Sequence, residues 1–411
     1  MGLFANAARL RRKTHANIRC NMKESPLKNS GFKFLFPIDG DFLTNLDGAI
    51  ENGGVKITVK LSAATGCDLY VNGNKAEFIN GEYRSDVTLT DYRTVLSAFN
   101  KATGKRAETV VYYLKNAARN FMLSSDDNIL FLKDITDHKD EYSSIFDNPY
   151  LAVYKKAHDT YGAKARLNLF YELDDTAANC FNPKPEYFNL SMMTDKFKKE
   201  FIENSDWLKL AFHAKSEFPD KPYSFSPASE IRRDAIAVIR EIIRFAGVEC
   251  LTETTTTHWG SANKECVRAL RSLGYRMLTG YFENRDGEYI VSYYLSDELS
   301  EHVGERDFYR DRLEGVTFGR LDLVLNERSF ADMERELLRI IDHKGRGGSV
   351  GIMIHEQYFY KTYKNHLPDF SERVFAALKI LTERGYACRE VIDAVKEPAL
   401  CENPAFSLIN E

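Results

Sequence analysis

The sequence predicts an α/β protein, in which a (β/α) barrel of seven or eight strands follows a small all-β sandwich of immunoglobulin-like type. Short alternating apolar runs, separated by turn signals, fill the chain from Phe32 to about residue 116, and such runs are typical of an antiparallel sandwich. From Asn120 onward, apolar runs alternate with amphipathic helical segments, the pattern of βαβ units and a parallel sheet. Residues 117–411 supply enough chain to close that sheet into a barrel.

Three segments follow from this pattern. Residues 1–31 are basic and lack apolar periodicity, which predicts a loosely ordered leader. Residues 32–116 form the predicted sandwich, where Asn72-Gly73 and Asn80-Gly81 are hairpin turns because both residue types tolerate a positive φ. No stretch of the sandwich gathers acids, bases or nucleophiles. We therefore interpret it as a packing or spacer module, with a sugar-binding module as the alternative.

The predicted barrel occupies residues 117–411. Its strands are NFMLSS, KARLNLFYE, WLKLAFHA, YRMLTGYF and GSVGIMIHE. Its helices are NPYLAVYKKAHDTYG, TDKFKKEFIENS, ASEIRRDAIAVIREIIRFAG, SANKECVRALRSLGY, RSFADMERELLRIIDHKG and FSERVFAALKILTERGY. Gly162 stands where a helix C-cap needs a left-handed residue. A long insertion, from about Glu283 to Gly319, follows YRMLTGYF.

Composition limits the function classes. The formal net charge of −4 and the pI near 6.2 argue against nucleic-acid binding, which needs a basic surface. The seven cysteines are scattered and form no C-x-x-C pair, so a disulfide framework or cysteine zinc site is not expected. No signal peptide and no apolar run of about 20 residues is visible, which predicts a cytoplasmic protein without a membrane span. Export and the oligomeric state stay open.

Polar residues cluster where four predicted segments end, at the edge that carries the active site in (β/α) barrels. Buried charge is costly unless it is paired or binds a metal, so their convergence predicts a site. The residues are Asp126 and Asp127, His213 and Glu217, His258 and Trp259, and His355 and Glu356.

Each of these residues could have a purely structural role or a chemical role. Adjacent aspartates could cap a helix, or one could bind a metal while the other acts as a base. His213 and Glu217 face the same side only if the chain turns helically there; together they would suit zinc or another divalent metal. His258 could be a ligand or a structural histidine. His355 could be a core histidine or a general acid that titrates near neutrality.

The order of these motifs resembles the polysaccharide-deacetylase (NodB-homology) superfamily, carbohydrate esterase family 4, over residues 120–385. Ser124-Ser125-Asp126-Asp127-Asn128 stands in place of Thr-Phe-Asp-Asp-Gly, and His213-x-x-x-Glu217 in place of His-x-x-x-His. Thr256-Thr257-His258-Trp259-Gly260 replaces Arg-x-Pro-Tyr-Gly, before a helix ending in Leu-Gly-Tyr. Ile352-Met353-Ile354-His355 matches the last motif, Leu-x-His.

The resemblance implies a divalent metal, most simply zinc, and a carbohydrate substrate that loses N- or O-acetyl groups. Asp127 and His213 would be metal ligands, with Glu217 in place of the family's third ligand, a histidine. Asp126 would be the base and His355 the general acid, and the backbone near Trp259 would help to hold the oxyanion.

This sequence departs from the family pattern at several points. The family arginine that braces the catalytic aspartate is Thr256 here, and the family Asp-Trp motif is missing. His258 has no family counterpart and could replace Glu217 as a ligand. Three hypotheses therefore stand: a metal-dependent carbohydrate hydrolase, a glycoside hydrolase using Glu217 and Glu356, and a noncatalytic glycan-binding protein with a degenerate site. In the hydrolase hypothesis Trp259 and Glu356 contact the substrate.

Overall fold

The computed structural model describes residues 31–115, 117, 119–343 and 345–396. The predicted leader lies almost wholly outside these described residues. The described chain contains ten α-helices and 24 strands, together with short 3₁₀ segments. None of the described helices is both long and apolar enough to cross a membrane.

Two five-stranded sheets form the N-terminal part, which we call the N-terminal sheet pair. The strands are β1 (Phe32–Phe36), β2 (Phe42–Leu43), β3 (Ala49–Glu51), β4 (Gly54–Ala63), β5 (Leu69–Val71), β6 (Asn74–Lys75), β7 (Glu77–Ile79), β8 (Glu82–Leu89), β9 (Arg93–Asn100) and β10 (Arg106–Tyr113). One sheet has the order β1-β4-β8-β7 with β3 beside β4, and the other has the order β2-β10-β9-β5-β6. Their pairings are antiparallel except for β2 with β10.

Both sheets contribute to one hydrophobic core, as the alternating sequence predicts. Along β4, Val55, Ile57, Val59 and Leu61 are buried, and residues between them are more exposed. Alternation with period two places all four side chains on one face, where they join core residues of the other sheet such as Leu96. The immunoglobulin-like topology and the domain limits stay predictions.

The remainder of the chain alternates strands and helices. Its strands are β11 (Asn120–Asn128), β12 (Ala165–Phe170), β13 (Glu172–Leu173), β14 (Phe188–Asn189), β15 (Leu208–Ala214), β16 (Thr254–Thr255), β17 (Met277–Gly280), β18 (Glu283–Arg285), β19 (Glu288–Ile290), β20 (Phe308–Asp311), β21 (Val316–Arg320), β22 (Leu323–Val324), β23 (Ser349–His355) and β24 (Ala387–Cys388). Its helices are α1 (Leu130–Asp137), α2 (Pro149–Tyr161), α3 (Asp175–Ala178), α4 (Lys198–Glu203), α5 (Ala228–Phe245), α6 (Lys264–Ser272), α7 (Asp297–Gly304), α8 (Phe330–Ile341), α9 (Phe370–Glu383) and α10 (Val391–Val395).

Parallel pairing dominates this half, which makes the chain a mixed α/β protein. One sheet has the order β15-β12-β11-β23-β22 with β24 beside β11, and a second has the order β16-β17-β21-β20. Every pairing in the first sheet is parallel. The strands β11, β12 and β15 are almost wholly buried, as expected for a parallel sheet covered on both faces. Consequently their carboxyl ends meet along one edge.

The local signals explain most of these elements, and one prediction needs correction. Helix α2 ends at Gly162, which has φ 66° and closes the helix in the left-handed conformation. The segment described as an insertion also contains β21, which pairs in parallel with β17 over Met277–Gly280. It is therefore part of the parallel architecture, with β18, β19 and α7 added before it.

A buried ion pair and a histidine–carboxylate contact join the N-terminal sheet pair to the parallel half. The Arg306 guanidinium donates to Asp47 at 2.7 Å and to the Phe42 carbonyl at 2.9 Å. The His302 ring lies 2.6 Å from an Asp41 carboxylate oxygen. Arg306 and Asp47 keep only 9% and 6% of their side-chain surface exposed. Since a buried charge needs its partner, these pairs fix the two parts against each other.

Candidate metal centre

Asp127 lies at the carboxyl end of β11, where the backbone leaves the regular strand. Its φ is 63°, a left-handed conformation that is uncommon for residues other than glycine. The next side chain holds this turn, because the Asn128 amide donates to the carbonyls of Ser125 at 2.7 Å and Asn168 at 3.1 Å. The β11–β12 register shifts at the same point. The turn therefore sets where the Asp127 carboxylate lies at the sheet edge.

Three buried side chains bring potential metal ligands together. His213 Nε2 lies 3.0 Å from Asp127 Oδ1 and 3.2 Å from His258 Nδ1, and His258 Nδ1 lies 3.4 Å from Asp127 Oδ1. The sequence separates these residues widely, but the ends of β11 and β15 and the turn after β16 place them side by side. These three residues could hold a metal ion.

The distances fit a shared cation. Ligand atoms about 2.0–2.1 Å from a zinc ion at tetrahedral angles lie about 3.3 Å apart, close to the three separations observed. His213 Nδ1 lies 2.5 Å from the Thr256 carbonyl, so the proton is on Nδ1 and Nε2 is free to bind. This is the usual arrangement behind a metal-binding histidine. An unprotonated Nε2 and a carboxylate oxygen repel each other at this distance, so a proton or a metal cation is needed between them.

The electrostatics of the group agree with paired charges. Burial acts to raise the pKa of Asp127, but hydrogen bonds with His213 and His258 hold that pKa well below its usual range. Burial acts to lower the pKa of His213, yet the charges of Asp126 and Asp127 and hydrogen bonds to Asp127 and Thr256 raise it overall. The site therefore favours an ionised carboxylate facing positive charge. Within the described chain, His258 Nε2 is buried and has no hydrogen-bond partner.

The predicted acid and base lie around this group. Asp126 is buried, and its Oδ1 accepts a hydrogen bond from Asn168 at 2.6 Å. His355 Nε2 lies 4.0 Å from Asp127 Oδ2, while His355 Nδ1 lies 3.0 Å from Asn326 Oδ1. Since Asn326 also accepts from the His355 backbone N–H, this amide orients the ring and turns Nε2 toward the site.

Trp259 borders the site on its exposed side. It has φ 60° within a short 3₁₀ turn, and 39% of its surface is exposed. Its ring centroid lies 6.1 Å from that of His258. An exposed aromatic ring beside a polar cluster suits contact with an apolar sugar face. The substrate contact by Trp259 stays a prediction.

Glu217 lies outside the group formed by Asp127, His213 and His258. The chain does not turn helically after His213, because β15 continues to Ala214 and a bend follows. Glu217 instead lines a cavity of about 120 Å³ together with Asp127, Phe170 and Phe181. Burial and the charge of Asp127 raise the pKa of Glu217 well above its usual value. Of the two residues predicted as candidates for the third ligand, the group contains His258 and not Glu217.

Glu356 has a structural role and not the substrate-binding role predicted from the sequence. Its exposed fraction is 0%. Oε2 accepts from the backbone N–H groups of Ile129 at 2.6 Å and Leu130 at 2.9 Å, and Oε1 accepts from Phe131 at 2.6 Å and the Tyr360 hydroxyl at 2.9 Å. Glu356 thus caps the N-terminus of α1, satisfying donors that the helix itself leaves free.

Several supporting residues had no recognisable signal in the sequence. Gln357 donates to Asp127 Oδ2 at 2.8 Å, and Asn168 and Asn326 hold Asp126 and His355 as described above. Arg166 is fully buried; burial lowers its pKa, and the charges of Glu390 and Asp126 oppose that shift. It supplies a buried cation near Asp126. Gln357 alone carries a hint, because it follows the predicted His-Glu pair directly.

Comparisons with known proteins find only distant similarity. No family model matches the sequence, and no curated protein matches it. Among solved structures, a pseudoenzyme of the CE4 family from Bacillus anthracis is 10% identical, with a TM-score of 0.32 over 69% of this chain and 67% of its own. A peptidoglycan N-acetylglucosamine deacetylase is 12% identical, with a TM-score of 0.33 over 68% and 89%. The carbohydrate deacetylase Agd3 is 8% identical, with a TM-score of 0.37 over 88% and 73%. Such scores do not establish a shared fold, so the chemistry must come from the site itself.

Proposed function

We propose that this chain is a divalent-metal-dependent hydrolase that removes N- or O-acetyl groups from an oligo- or polysaccharide. The observation that carries the proposal is the buried group of Asp127, His213 and His258, whose ligand atoms lie 3.0–3.4 Å apart. Two imidazoles and one carboxylate make a ligand set that suits zinc and leaves a position open for water or substrate. Carbohydrate as substrate class rests on the motif resemblance and on Trp259.

Asp127, His213 and His258 would hold the metal. A bound divalent ion in such a site supplies a nucleophilic water near neutral pH and polarises the substrate carbonyl. Gln357 fixes one carboxylate oxygen of Asp127, and the Thr256 carbonyl fixes the His213 ring. These contacts position the ligands before substrate arrives, as a catalytic site requires.

The remaining chemistry falls to Asp126 and His355. Asp126 accepts the proton of the attacking water, and Asn168 orients its carboxylate by donating to Oδ1. His355, held by Asn326 through Nδ1, presents Nε2 to protonate the departing amine or alcohol. The cavity beside Asp127, with Phe170 and Phe181 on its walls, is an apolar place for the acyl group. The proposal includes closure of the two sheets of this half, β15-β12-β11-β23-β22 and β16-β17-β21-β20, into one barrel around these strand ends.

The competing hypotheses fare differently. A glycoside hydrolase using Glu217 and Glu356 needs two carboxylates that reach a shared bond, but Glu356 is buried and both its oxygens accept hydrogen bonds from α1 and Tyr360. A noncatalytic glycan-binding protein stays as the alternative, because a complete ligand set does not prove turnover.

Metal analysis of the purified protein, combined with acetate release, tests the proposal. We expect about one zinc or other divalent ion per chain, and acetate release from N-acetylglucosamine oligomers or acetylated xylan that a chelator abolishes. The variant His258→Ala should lose both the ion and the activity. The matched variant Glu217→Gln should keep the ion, because Glu217 is not a ligand in this arrangement.

Each outcome has a distinct meaning. A metal-free native protein, or a His258→Ala variant with undiminished metal content, contradicts the metal centre. Full metal occupancy with sugar binding but no acetate release supports the noncatalytic alternative. Release of reducing sugar in place of acetate would favour a glycoside hydrolase.

A further inference from the structure

A row of aromatic and cationic side chains crosses the outer face of one N-terminal sheet. Tyr70 on β5 is the register partner of Phe99 on β9, and Phe99 is the partner of Arg106 on β10. Cross-strand partners project from the same face of a sheet, and none of the three belongs to the core between the sheets. With Lys101 they line an open groove of about 490 Å³, within the range of about 300–1,000 Å³ typical of ligand sites.

The cations of this groove are available for a ligand. The Arg106 guanidinium lies 4.7 Å from the centre of the Phe99 ring, and the Lys101 ammonium lies 5.9 Å from that of Tyr70. Neither cation has an ion pair with any residue in the described part of the chain, and no acidic residue lines the groove there. An arginine stacked on a ring still presents its N–H donors at the edge of the guanidinium, where a carboxylate can bind them in bidentate fashion.

We propose that this groove binds a carboxylate-bearing polysaccharide. The exposed parts of the aromatic rings offer contact area to the apolar faces of sugar rings, and Lys101 and Arg106 pair with the acid groups. The exposed side chain of Asn72 is fixed at the rim, because its Oδ1 accepts from the Ser97 N–H at 2.8 Å. An acidic peptide would meet the charges equally well but would make less use of the flat rings. The site is separate from the metal centre and does not depend on the activity proposed for it.

Binding to polygalacturonic acid, compared with its fully methyl-esterified form, tests the proposal in the full chain. The two polymers share a backbone and differ in charge. We expect the acid form to bind at least about tenfold more tightly at low salt, and added salt to weaken that binding. The double variant Lys101→Glu, Arg106→Glu should lose this binding, while the variant Lys33→Glu, Lys361→Glu, with the same charge change at exposed positions elsewhere, should keep it.

A third variant tests the aromatic contact. Tyr70→Ala keeps both cations, and if its melting temperature is unchanged, its affinity for polygalacturonic acid should fall severalfold. Equal affinity for the acid and the ester, or unchanged binding by the Lys101→Glu, Arg106→Glu variant, overturns the proposal. Polyglutamate binding as tight as that of polygalacturonic acid also overturns it, because the groove would then be a general anion surface. Metal content and acetate release should be the same in all these variants.

Discussion

Glu356 offers the clearest test of the site assignment, because the sequence predicts a substrate contact for it and the structure gives it a capping role instead. Substitution of Glu356→Gln keeps the shape of the side chain but replaces one acceptor oxygen by an NH₂ group. The remaining oxygen can still accept from Ile129 and Leu130, or from Phe131, but not from all three backbone N–H groups. At least one buried N–H of α1 therefore loses its acceptor. Burial raises the pKa of Glu356 to about 7, so above that pH the helix N-terminus also loses a negative charge.

The magnitude follows from these contacts. A buried donor left without a partner costs about 1–3 kcal/mol, and the lost interaction between a carboxylate and a helix N-terminus costs about 0.5–1 kcal/mol. We expect Glu356→Gln to lower the free energy of unfolding by about 2–4 kcal/mol. With a urea m-value of about 3 kcal/mol per molar, the unfolding midpoint should fall by roughly 1 M.

Urea unfolding followed by tryptophan fluorescence measures this effect. The chain has two tryptophans, Trp207 and Trp259, and both lie in the parallel half, so the signal reports the part that contains α1. The control is Glu372→Gln, an exposed acid in the first turn of α9, which should cost less than about 0.5 kcal/mol. Unchanged unfolding of Glu356→Gln together with weakened substrate binding would refute the capping role and restore the substrate role.

The same structure makes four further predictions. The pKa of His213 is raised above its ordinary value of 6.5. Its pairing with Asp127 therefore stabilises the chelator-treated protein fully below about pH 6.5, and this stabilisation is lost as the pH rises through the raised pKa. Calorimetry should show a lower stability at about pH 9 than at about pH 6, and a stability that does not change with pH contradicts this prediction. Metal affinity should change in the opposite sense and fall on acidification, because bound imidazoles must be neutral. Asn326→Ala should lower kcat about 10–100-fold without changing the metal content, and an unchanged kcat would show that His355 needs no orientation. Arg306→Ala should lower the free energy of unfolding by about 3–5 kcal/mol, because it leaves Asp47 buried without its partner. The control is Arg312→Ala, which breaks the more exposed pair with Asp39 and should lower that free energy by under about 1 kcal/mol. Thermal unfolding of both variants measures the difference.

The sequence predicts the architecture well where local signals decide it. The apolar run before Asp126 identifies β11, and the glycine after Tyr161 marks the end of α2. The position of the site also follows, because carboxyl ends of parallel strands share an edge. Helix α1 is absent from the prediction, since no side chain of its own N-cap residue Ile129 provides a capping signal. Its cap, Glu356, is 227 residues from Ile129 in the chain, and no local pattern reveals such a contact.

Supporting contacts are harder to predict than ligands for the same reason. Asn326 and Gln357 are ordinary polar residues in the sequence, and they gain a role only when tertiary structure brings them to His355 and Asp127. A histidine or aspartate at a strand end is conspicuous because burial of such groups is costly. An asparagine at the end of a neighbouring strand carries no comparable signal.

The choice between Glu217 and His258 shows how one local conformation decides the chemistry. Residues four apart lie on the same face only where the chain is helical. His213 belongs to β15, which runs on to Ala214 before the chain bends, so Glu217 does not share a helical face with His213 and lies outside the group of ligand atoms. His258 is much farther away in sequence, but it follows the strand beside β15, and the Thr256 carbonyl already contacts the His213 ring. Sequence spacing alone favours the nearer residue, Glu217. The structure favours His258, because neighbouring strands end side by side at the edge of a parallel sheet.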